Sequence, residues 1–185
     1  MNKLLLLLLI SSIAISQSKD VVIEDAIIVW KKSQRLEWKD FAGEMDADVF
    51  GTAKTVYKIE IVPIEVYVDE NDNIQNIEQL SVIAHFYKNL SWTASRNVAL
   101  LAHEQLHFDI AELYARKIRK RFSEMKNIQE FRFSQFQTEY SKLMNACKSF
   151  QKKYDKETKH GSIININNQW IKTIKNSLRE LEDYS

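Results

Sequence analysis

The sequence predicts an α+β domain in which an N-terminal antiparallel sheet is followed by long helices. Three observations carry this. Residues 21 to 68 are rich in β-branched and alternating apolar side chains. From about Ser95 the apolar period becomes helical and stays so. The whole chain has only three Gly and one Pro, too few turn formers for a loop-rich sandwich or barrel.

The first residues predict an export signal. Lys3 gives a positive start, Leu4 to Ile15 form a short apolar run, and Ala14-Ile15-Ser16 offers small residues for cleavage after Ser16. The run is short for a bilayer span. No Cys lies near that point, which excludes a lipoprotein anchor. The expected organisation is therefore a signal peptide at 1–16 and one domain at 17–185, secreted or periplasmic, with no transmembrane span after cleavage. Cys147 is the only cysteine, so no intrachain disulfide can form. The net charge of +1 gives no ground for a nucleic-acid partner.

Expected strands are Val21-Val22-Ile23, Ile27 to Trp30, the alternating Leu36 to Phe41 closed by Ala42-Gly43, Thr52 to Ile61, and a run within Leu80 to Trp92. In the last, Val82, Ala84 and Phe86 share one face. Asn97 to Phe122 predicts a buried first helix, with Arg116 to Arg121 as its solvated basic end. A second helix is expected from near Gln129 to near Tyr154. Phe133, Phe136, Tyr140, Leu143, Cys147, Phe150 and Tyr154 form its seam, which makes Cys147 a core residue. A third helix covers roughly 168–182.

The chemistry is expected on the first helix, at His103-Glu104-Gln105-Leu106-His107. Residues four apart on a helix differ by about 40° and one turn, so both imidazoles project side by side. Neutral imidazoles so placed can take two corners of a zinc tetrahedron. Glu104 lies about 100° round, outside the ligand set but able to act as general base and then acid on water. This is the H-E-x-x-H pattern of metallopeptidases.

A catalytic zinc needs a third protein ligand. Asp109 and Glu112 point elsewhere on the helix, and Glu112 suits an ion pair with Arg116. His85, Glu139, Asp155, Glu157 and His160 remain. His160 is preferred, as the commoner kind of zinc ligand just where the second helix should end at Gly161. A straight hairpin turning near Lys126 would instead set residues 144–148 opposite the histidines, so His160 requires a bend or a fold-back. Tyr154 or Thr158 is a candidate oxyanion donor.

Three segments resemble the bacterial domain of unknown function 922 family, whose members are described as secreted zinc-dependent proteases. They are Leu36-Glu37-Trp38-Lys39-Asp40-Phe41-Ala42-Gly43, Leu100 through Ile110, and Tyr154 through Gly161 with Gln169 and Trp170 after it. The resemblance implies a zincin-like fold, export, a metal site including His103 and His107, and a functional role for the Tyr154 to Gly161 segment. Leu106 departs from the smaller residue, often Gly, expected of relatives. The resulting expectation is a secreted zinc hydrolase acting on a peptide or protein. The alternative is a non-catalytic zincin-like module that binds metal or a partner in the envelope. Oligomeric state is left open.

Overall fold

The computed structural model describes residues 26–45 and 51–185. The expected signal at 1–16 and the strand at Val21-Val22-Ile23 lie outside them. The architecture is α+β, an antiparallel sheet followed by three helices.

Strands β1 (Ile27–Val29), β3 (Tyr57–Val62) and β4 (Ser81–Tyr87) form a sheet in the order β1-β4-β3. A two-stranded ribbon pairs β2 (Ala53–Lys54) with β5 (Trp92–Thr93). The alternation in β4 reads onto two faces as expected. Val82, Ala84 and Phe86 are buried, and the side chains between them are only partly covered. The other face of the sheet carries His85, whose Nδ1 lies 2.5 Å from Glu60 Oε2, with Tyr87 donating to the same oxygen. His85 is thus bonded across the strands to Glu60.

Leu36 to Phe41 is not a strand, despite its alternation. Trp38–Asp40 is a 3-10 turn closed by a reciprocal cap, in which Glu37 N–H donates to the Asp40 side chain at 2.8 Å. Local side-chain capping outweighs the strand pattern here. The expected strand at Thr52 to Ile61 divides into β2 and β3, and Thr55 lies in the link between them.

Helix α1 (Val98–Asn127) is capped by Asn97, whose side chain accepts from Ala99 N–H. It runs through the core, burying Leu106, Ile110, Leu113 and Ile118. It continues past Phe122, so Arg116 to Arg121 is not a solvated end. Arg116 is only 1% exposed; its guanidinium donates to Glu112 at 2.9 Å and to the Leu178 carbonyl. Arg121 pairs with Glu139 at 2.9 Å. Neutralisation by acids and carbonyls lets these cations lie against the core.

Helix α2 (Phe133–Thr158) returns antiparallel to α1, and α3 (Ile164–Glu180) packs on both. The seam of α2 faces the core as expected, with Phe136, Cys147 and Tyr154 fully buried. Burial pushes the Cys147 thiol up to about 11, so it is a packing residue with little thiolate. Contacts such as Arg121–Glu139 and Phe122–Phe136 place the centre of the hairpin near Glu130, later than Lys126. Among the described residues no helix is long and apolar enough to cross a membrane.

Candidate metal centre

The helical rise of α1 places His103 and His107 one above the other, and their Nε2 atoms are 3.2 Å apart. Because the hairpin turns near Glu130, the residue facing them from α2 is Asp155. Its Oδ1 lies 3.2 Å from His103 Nε2 and 3.0 Å from His107 Nε2. These three atoms form a nearly equilateral triangle. A tetrahedral zinc with bonds of about 2.0–2.1 Å has ligand–ligand edges of roughly 3.3 Å. Asp155 Oδ1 is also buried with no hydrogen-bond donor, although two ring nitrogens stand beside it. Three potential ligand atoms converging within 3.2 Å is an arrangement that suits a divalent cation. The donor set of two imidazoles and a carboxylate fits zinc.

Neighbouring groups fix the side chains of the triangle. His107 Nδ1 meets Gln151 Oε1 at 2.6 Å, while Gln151 Nε2 donates to the His107 carbonyl. A proton held on Nδ1 leaves Nε2 free to ligate. Gln151 and Asp155 share one face of α2, one turn apart. The His103 ring stacks on Tyr154 with centroids 4.6 Å apart. Gly161 also lies against His103, where a Cβ would come within 2.9 Å of His103 Cβ and Cγ.

Gly161 also has a φ of +79°, which L side chains rarely adopt. Gly161→Ala is expected to lower metal affinity roughly tenfold by displacing His103. It also adds strain of about 1–2 kcal/mol. Chelator competition and thermal melts check this; wild-type affinity in the variant would contradict it.

In the metal-free protein the imidazoles and the carboxylate of the triangle shift one another's basicity. Burial alone would lower the basicity of His107, but Asp155, Glu104 and Gln151 outweigh it and raise its pKa above 6.5. Burial would likewise raise Asp155, but the two imidazoles hold it well below the usual carboxylate range. The signs follow from linkage. The raised histidine stabilises the metal-free fold below its ordinary value of 6.5 and loses this as pH rises through its own pKa. The depressed aspartate stabilises it above its ordinary 3.8 and loses this as pH falls through its own. Melting of metal-free protein across pH is therefore expected to show this contribution in full between those two values. Disappearance of that maximum in Asp155→Ala checks the assignment. Ligation requires neutral imidazole, so metal affinity should fall in acid.

Glu104 is 4% exposed and takes a hydrogen bond from Thr55 Oγ1 to its Oε2 at 2.7 Å. It opens, with the triangle, onto a cleft of about 260 Å³ whose walls include Thr52, Lys54, Tyr57 and Leu100.

The other expected candidates are placed elsewhere. His160 lines the cleft, but its side chain is 75% exposed and its Nδ1 stands 3.7 Å from Asp155 Oδ1. It is a rim residue beside the triangle, and Asp155 occupies the third corner for which His160 was preferred. Helix α2 extends through Asp155 to Thr158, and His160 follows in the left-handed turn beyond it. Glu139 is engaged by Arg121, and Glu157 accepts from Trp170 Nε1 at 2.9 Å. Asp109 points away as expected, accepting from Trp30 Nε1, Arg35 and Gln105. Gln105 also accepts from Leu36 N–H at 2.7 Å, tying the Leu36 to Phe41 segment to the back of the motif. Glu112 pairs with Arg116, as expected. Leu106 is buried in the core away from the cleft. The two oxyanion candidates are both buried and committed, Tyr154 to Asn167 and Thr158 to the Tyr154 carbonyl at 2.8 Å. Neither faces the cleft.

Sequence reasoning missed Gln151 and Thr55. Gln151 lies four residues before Asp155, a spacing that could have indicated it. Thr55 carried no distinguishing signal.

Residues 88–161 match the family described as bacterial protein of unknown function (DUF922). The match contains Leu100 through Ile110 and Tyr154 through Gly161, whereas Leu36 to Gly43 precedes it and Gln169 and Trp170 follow it. No curated protein and no solved structure matches the chain.

Proposed function

We propose that this chain is an exported zinc-dependent hydrolase, a zincin-like metallopeptidase whose ligands are His103, His107 and Asp155. The observation that carries the reading is the triangle of Nε2, Nε2 and Oδ1 atoms at 3.0–3.2 Å, with a buried carboxylate beside it on an open cleft. The third ligand in this reading is Asp155, with His160 at the rim.

Zinc bound there would supply a Lewis acid that polarises a carbonyl and acidifies water. The residues of the chain do the rest. Three protein ligands leave one corner of a tetrahedron open, and the cleft gives access to it. Glu104 faces the same cleft and takes the proton of the attacking water, then passes it to the leaving amine. Thr55 occupies one carboxylate oxygen of Glu104, so the other serves the water. Gln151 holds the His107 ring in the ligating tautomer. Lys54, Thr52 and Leu100 line the walls with a cation, a hydroxyl and an apolar side chain. That mixture suits a polypeptide segment better than a strongly anionic substrate.

The test is turnover of a quenched-fluorescent peptide library by purified, zinc-replete protein, with a chelator added and zinc then restored. Cleavage that stops with chelator and returns with zinc supports the reading. Stoichiometric zinc with no cleavage of any pool would favour the non-catalytic metal- or partner-binding module instead.

A further inference from the structure

We infer that Thr55 is a positioning residue for Glu104, setting which carboxylate oxygen faces the reacting water; this rests on the metallopeptidase reading of the same site. Glu104 sits on α1, and a glutamate has three side-chain torsions through which to wander. Thr55 comes from a different element, the link between β2 and β3. Its hydroxyl donates to Glu104 Oε2 at 2.7 Å and lies 3.3 Å from the Glu104 carbonyl. Among the described residues no other side chain or backbone group donates to this carboxylate. That one bond ties the carboxylate of a buried side chain to a second element. With Oε2 occupied, Oε1 is the oxygen left to accept from a donor in the cleft.

The chemistry favours a hydroxyl here over a stronger partner. A lysine or arginine would form an ion pair with Glu104 and weaken it as a base. A neutral hydroxyl orients the carboxylate and leaves its charge in place. Threonine is also stiff at its first torsion, because two heavy atoms branch from Cβ. Its hydroxyl is therefore held by the backbone of the link, and the same backbone forms a wall of the cleft with Thr52, Ala53 and Lys54. The wall a substrate would meet and the group that aims the base are one segment.

The experiment uses the full chain loaded with cobalt in place of zinc, as wild type, Thr55→Val and Thr55→Ser. Valine keeps the shape and branching and removes the hydroxyl; serine restores it. Cobalt stoichiometry is measured first, then the affinity of acetohydroxamic acid from the cobalt absorbance, then peptide turnover. Acetohydroxamic acid takes a metal and offers a hydrogen-bond donor to a carboxylate beside it. All three proteins should hold one cobalt. Thr55→Val should bind the hydroxamate roughly tenfold more weakly, in the range of lost outer partners at metal sites, and Thr55→Ser within about twofold of wild type. Turnover should show kcat reduced roughly tenfold or more in Thr55→Val with KM little changed, and recovery in Thr55→Ser. Full cobalt with hydroxamate affinity and kcat in Thr55→Val equal to wild type overturns the role of Thr55 and leaves the metal reading standing. A wild type that holds no cobalt overturns the metal reading and this inference with it.

Discussion

Asp155→Ala is expected to weaken zinc binding by more than about 100-fold, beyond the range seen when outer partners are lost. His160→Ala is expected to weaken it by less than roughly tenfold. The contrast follows from position. Asp155 Oδ1 completes the triangle with the two Nε2 atoms and is buried with no hydrogen-bond donor, whereas His160 is exposed and stands beside the aspartate. Removing Asp155 leaves two neutral ligands and takes away the one negative charge in the triangle. Competition against a chelator of known affinity, at fixed pH, measures both variants. Because Asp155 also supports the raised pKa of His107, its loss should make zinc affinity less dependent on pH near neutrality. Equal losses in the two variants would reopen the choice of third ligand. A larger loss in His160→Ala would reverse it.

The second large effect is expected of Glu104→Gln. Gln is nearly isosteric and can still accept from Thr55 through its amide oxygen. It cannot take a proton. Hydrolysis should therefore fall by about 10²–10⁴, the usual contribution of general acid–base catalysis. Zinc stoichiometry should be unchanged, because Glu104 is not among the triangle's ligand atoms. Steady-state kinetics on a peptide cleaved by the wild type, with metal analysis of the same samples, measures both. Full activity in the variant would remove Glu104 from the mechanism. Lost zinc would make it a ligand instead of a base.

The features legible in the sequence were those fixed by short-range periodicity. The four-residue spacing of His103 and His107 is a local property of a helix, and the structure keeps it. The alternation of Val82, Ala84 and Phe86 translated directly into a buried sheet face. The third corner of the triangle was harder because it depends on where a hairpin turns. No Gly or Pro marks the end of α1, and the basic run from Arg116 to Arg121 resembled a helix terminus. Within that run Arg116 and Arg119 are held by Glu112 and backbone carbonyls and Arg121 by Glu139, and the helix continues to Asn127. In an antiparallel pair, each residue by which the turn moves shifts the facing position by two. Moving the turn from near Lys126 to near Glu130 brings Asp155 opposite the histidines with no bend or fold-back.

Two other features could not be read from periodicity. The alternation of Leu36 to Phe41 is identical in a strand and in a capped turn, and the Glu37–Asp40 pair decided for the turn. Thr55 has the composition of any strand residue; only the packing of the ribbon against α1 brings it to Glu104. Gly161 was read as a helix stop, and it is also the one residue small enough to lie against His103.

A zinc ion held by His103, His107 and Asp155 would be visible directly. Anomalous diffraction at the zinc edge, from crystals of the full chain grown in metal-replete medium, tests for it. One peak is expected about 2.0–2.2 Å from His103 Nε2, His107 Nε2 and Asp155 Oδ1. The absence of any peak at the triangle, or a peak bound by His160 in place of Asp155, would contradict it.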